Sequence, residues 1–62
     1  MNENQIELVT KLADYEAEID ILTDLILENV NNTEKVSQYK KDLIKLKSLY
    51  TRTKNVLEKS LV

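Results

Sequence analysis

The chain has 62 residues, of which 42% are apolar and 32% charged; three Tyr are its only aromatics, and it contains no Gly, Pro, Cys, His, Trp or Phe. Average usage would place roughly four Gly and three Pro in such a length, and tight turns, hairpin loops and phosphate-cradling loops depend on them, so sheet-rich folds and Gly-rich nucleotide sites are excluded. Without Cys and His there is no disulfide, thiol chemistry, ordinary zinc or haem site, or usual general base near neutral pH.

The first element is read from Leu8, Leu12, Tyr15, Ile19, Leu22 and Ile26, spaced alternately by four and three. This is the seam of a seven-residue repeat lettered a to g, with a and d apolar. Leu, Glu and Lys favour helix, and Asn2 followed by Gln5 forms a candidate capping box. A helix is predicted over about residues 3–29.

A turn follows at about 30–33, in the polar cluster Asn31-Asn32-Thr33. Asn31 followed by Glu34 is a second candidate capping box. With no Gly to stop the first helix, Asn31 or Asn32 is expected to take the left-handed conformation that Asn tolerates best among non-Gly residues. One continuous helix is the competing reading. The second element repeats the period in Val36, Tyr39, Leu43, Leu46, Tyr50, Thr53 and Leu57, predicting a helix over about 34–60.

Net charge is −2, but the halves have opposite signs. Residues 1–30 hold eight acids against Lys11, a net of −7, and residues 31–62 hold eight bases against Glu34, Asp42 and Glu58, a net of +5. Glu16, Asp20, Asp24 and Glu28 form a ladder of like charges four residues apart, which disfavours an isolated helix. An antiparallel basic neighbour relieves it. A register in which paired a and d positions add to 65, such as Leu22 with Leu43 and Leu8 with Leu57, leaves about six connecting residues, a normal loop. Glu16 then lies opposite Lys47.

The seam does not use all the apolar residues. Ile21, Leu25, Leu27, Ile44, Leu49 and Val56 lie outside it, and a surplus of this kind marks a second packing surface. A chain this short barely offsets its ordering entropy even as a compact globule, and a two-helix rod buries less. The expected fold is therefore all-α: an antiparallel, coiled-coil-like two-helix hairpin over residues 1–62, dimerising into a four-helix bundle. Those six residues are the expected self-association interface.

Candidate chemistry is sparse. The carboxylates of the first helix occupy a solvated face rather than a cleft that would separate their pKa values, so no enzyme activity is expected. Glu16, Asp20 and Asp24 could meet a divalent cation only weakly, and no metal or cofactor is expected. Tyr15, Tyr39 and Tyr50 fall on the seam, with hydroxyls reaching its edge. Asn31-Asn32-Thr33 matches a glycosylation acceptor but reads as the turn.

The expected function is a small non-enzymatic protein-interaction or regulatory module that binds itself, and through the same faces another protein. Two alternatives use its charges. Lys40, Lys41, Lys45, Lys47, Arg52 and Lys54 could track the phosphates of a nucleic acid, although they spread on both sides of the seam. The acidic helix, with Glu7, Asp14, Glu18, Asp20, Asp24 and Glu28, could imitate such a backbone, as small acidic phage inhibitors do.

The longest uncharged stretch, Asn29 to Thr33, is five residues, against the roughly twenty apolar residues of a membrane span. No membrane partner is expected. The start Met1-Asn2-Glu3 lacks the basic and apolar blocks of a secretory signal, so a cytoplasmic protein is the default. Abundant Lys, Asn, Ile, Leu and Glu, with only Ala13 and Ala17 as alanines, suit a low-GC bacterium or its phage.

Overall fold

A computed structural model describes all residues from Met1 to Val62. They form two helices, α1 over Glu3–Glu28 and α2 over Thr33–Leu61, packed against each other in a rod with extents of 45 × 14 × 12 Å. Each helix lies within about one residue of its predicted bounds.

Start and stop signals explain those bounds. Asn2 caps α1 reciprocally with Gln5: Gln5 N–H donates to Asn2 Oδ1 at 2.9 Å, and Asn2 N–H donates to Gln5 Oε1 at 3.0 Å. The second box does not form as expected. Asn32, not Asn31, caps α2, its Oδ1 accepting from Lys35 N–H at 3.1 Å. The residue three beyond this cap is Lys35, whose ammonium can only donate, so it cannot complete the box.

The turn also departs from expectation, because no residue adopts a positive φ. Asn29 ends α1 at φ −119°, ψ 26°. Its N–H reaches the carbonyls of Leu25 (3.1 Å) and Ile26 (3.2 Å), its side-chain Nδ2 donates to Leu25 O at 2.8 Å, and its own carbonyl accepts from Asn32 N–H at 2.8 Å. The side-chain amide thus supplies a donor to the last turn's orphan carbonyls, a task that a left-handed residue otherwise performs.

Packing follows the seven-residue repeat. Every a and d position named above is half-buried, and Leu57, at 9% exposure, is the one buried residue of the chain. The antiparallel register is that in which partners add to 65. Gln5 Nε2 donates to Ser60 Oγ at 2.9 Å and to Ser60 O at 3.3 Å, one step beyond the pair Leu8 and Leu57. Nearer the middle, Tyr50 Oη donates to Glu16 Oε1 at 2.9 Å. The structure gives the Glu16 carboxylate to Tyr50 rather than to Lys47. A half-buried ring already holds its hydroxyl at the seam's edge, whereas a lysine must order a long flexible stem.

Candidate interaction faces

A helix advances about 100° per residue, which places columns g and c beside d, and columns e and b beside a. With the a/d seam closed, the rod has two further long sides. One carries the g and c columns of both helices, and the other the e and b columns. The six apolar residues expected at a self-association interface divide between them. Ile21 (c), Leu25, Leu49 and Val56 (g) share one side. Leu27 and Ile44 (b) lie on the other.

The first side is where the helices leave a gap. Glu18, Ile21 and Leu22 of α1 and Asp42, Lys45 and Leu46 of α2 line an open groove of about 430 Å³, the one groove that spans both helices. Its floor is apolar, from Leu22 and Leu46 of the seam, and charged groups stand at its edges. Ile21 is 59% exposed and Val56 55%. Leu25 is half-buried beside Asp42, the only charged side chain of the protein that is half-buried. A second hollow of similar volume lies on α2 alone, lined by Ile44, Lys45, Ser48, Leu49 and Arg52, so it runs from the groove side around the outer f column to Ile44. Besides Lys45 of the c column, Glu18 and Asp42 are the groove residues that apolar spacing alone did not single out. Their signal was their place in the g columns, directly beside Leu25 and Leu49.

Toward the opposite side Leu27 is 65% exposed, and Ile44, 69% exposed, stands at the outer edge of α2, where it also lines the hollow of Leu49. Lys40, Lys47 and Lys54 occupy α2's whole e column between its ends, facing Val9, Glu16 and Thr23 of α1. The six candidate nucleic-acid contacts are divided in the same way: those three lysines lie on this side, Lys45 and Arg52 on the groove side, and Lys41 outward at f. No single strip of the surface gathers them. The acids of α1 are likewise distributed, and no group of three or more acidic side chains converges on one point.

Across the closed seam, the hydrogen bond to the Glu16 carboxylate pushes the Tyr50 phenol above its ordinary value of 10.0, helped by partial desolvation and by the negative charge of Glu16. Tyr15, Tyr39 and Tyr50 are all half-buried seam residues. No buried side-chain nitrogen or oxygen lacks a hydrogen-bond partner. No helix is long and apolar enough to cross a membrane.

By class the molecule is an antiparallel helical hairpin with one grooved side left open. Comparison with protein-family models, with characterised proteins and with solved structures finds no match to this chain.

Proposed function

We propose that the chain is a small non-catalytic interaction module that assembles with itself, two hairpins closing their groove sides into a four-helix bundle. The observation that carries this reading is how little one hairpin buries. A compact protein of 7.2 kDa exposes about 4,100 Å², whereas this one exposes 4890 Å², with a single buried residue. The excess of roughly 800 Å² matches what each partner contributes to a standard specific interface.

The side that closes is the one with the groove, because Ile21, Leu22 and Leu46 line it across both helices and Leu25, Leu49 and Val56 recur along the same g columns, while the opposite side is divided by its lysine column. The charged side chains of α1 are exposed and no three of them converge on one point, an arrangement suited to binding rather than catalysis. Sedimentation equilibrium at micromolar concentration tests the reading. The expected species is a dimer, and Leu25→Lys/Leu49→Lys should yield monomer that keeps much of its helical circular dichroism. A stable 7.2 kDa monomer would overturn self-assembly, and a double variant that still dimerises would show that another side closes.

A further inference from the structure

The charges along the groove side select one way for the two copies to meet. Taking self-association as read above, we infer that the basic α2 of the second copy covers the acidic α1, with the two-fold axis along the rod. At the rim, Glu7 and Asp14 pair with the partner's Lys59 and Arg52.

The c columns form the outer edges of the groove side. On α1 the column reads Glu7, Asp14, Ile21, Glu28, and on α2 it reads Lys59, Arg52, Lys45, Gln38 in the opposite chain direction. The register fixed by Gln5 with Ser60 sets Lys59 within about one residue, or 1.5 Å, of the level of Glu7. Arg52 stands in the same relation to Asp14, and Lys45 to Ile21. Ile21 and Lys45 do line one groove. Glu7 and Asp14 cannot meet Lys59 and Arg52 within a chain, because the d and g columns of both helices lie between the two edges. All four side chains are exposed.

Two hairpins can close face to face about either of two axes. An axis along the rod maps each level onto itself and sets α1 over the partner's α2. The level match inside one hairpin then becomes a match across the interface, giving four acid–base contacts in the dimer, with Ile21 over the aliphatic stem of the partner's Lys45. An axis across the rod sets α1 over α1, laying a helix of net −7 on its own copy and the basic column on itself. Like-charge juxtaposition rejects that arrangement.

Charge exchange distinguishes the axes, because the wild-type chain can be compared with Glu7→Lys/Asp14→Lys and with the fourfold variant that adds Arg52→Glu/Lys59→Glu. At low salt the double variant should dimerise at least about tenfold more weakly, since four contacts turn repulsive, and the fourfold variant should return to within about threefold of wild type. The two edges do not touch within a chain, so this recovery reports pairing between chains rather than repair of folding. Equal dimerisation by the double variant, or a fourfold variant as weak as the double, would overturn this geometry while leaving self-association intact. A monomeric wild type would overturn both.

Discussion

Tyr50 does two things at once, its ring filling an a position of the seam while its hydroxyl ties α2 to Glu16 of α1. Because the folded state raises the phenol above its ordinary 10.0, it favours the protonated form. The contribution to stability is therefore complete below about pH 10 and is lost as pH rises through the raised value. Tyr50→Phe should melt at a lower temperature than wild type at pH 7. The gap should close above pH 10 in thermal melts followed by circular dichroism. The turn offers a second comparison between neighbouring residues. Asn32 caps α2 and Asn31 makes no side-chain bond, so Asn32→Ala should cost about 1 kcal/mol and Asn31→Ala a few tenths at most in urea unfolding. Spacing alone had favoured Asn31, because Glu34 three residues on completes a capping pattern. The backbone chose Asn32, trading a reciprocal box for a cap one residue closer to α2.

At the scale of the elements, both helices were legible because their period recurs for about three repeats without Gly or Pro. Neither is self-sufficient. The ladder Glu16, Asp20, Asp24 and Glu28 repels along α1, and most helical stability comes from packing an apolar face rather than from propensity. A peptide of residues 3–28 should therefore be weakly helical alone and gain helicity when mixed with a peptide of residues 33–61, as far-ultraviolet circular dichroism would show. Equal helicity before and after mixing would count against the seam as the source of order. The register was also legible, since heptads of equal length on both sides of a short loop admit few alignments, and Gln5 with Ser60 extends the chosen one. The stop of α1 was not. Side-chain capping by Asn29 and a left-handed Asn satisfy the same carbonyls, and only the backbone's path distinguishes them.

In the whole molecule the seam consumes one stripe of each helix and leaves the others in water. The sequence alone establishes the all-helical class and the separation of charge, and favours two helices in the 65 register over one continuous helix, because each follows from periodicity or composition that local physics reads directly. It also marked six surplus apolar residues and, by heptad letter, set Ile21, Leu25, Leu49 and Val56 on the g and c side. The packed helices add that this side opens into a groove floored by Leu22 and Leu46 beside Ile21, and that Ile44 shares a hollow with Leu49 on the outer face of α2. The reason is geometric. A helix assigns each residue an angle about its own axis, and that angle becomes a face of the molecule only when a second helix has taken its side.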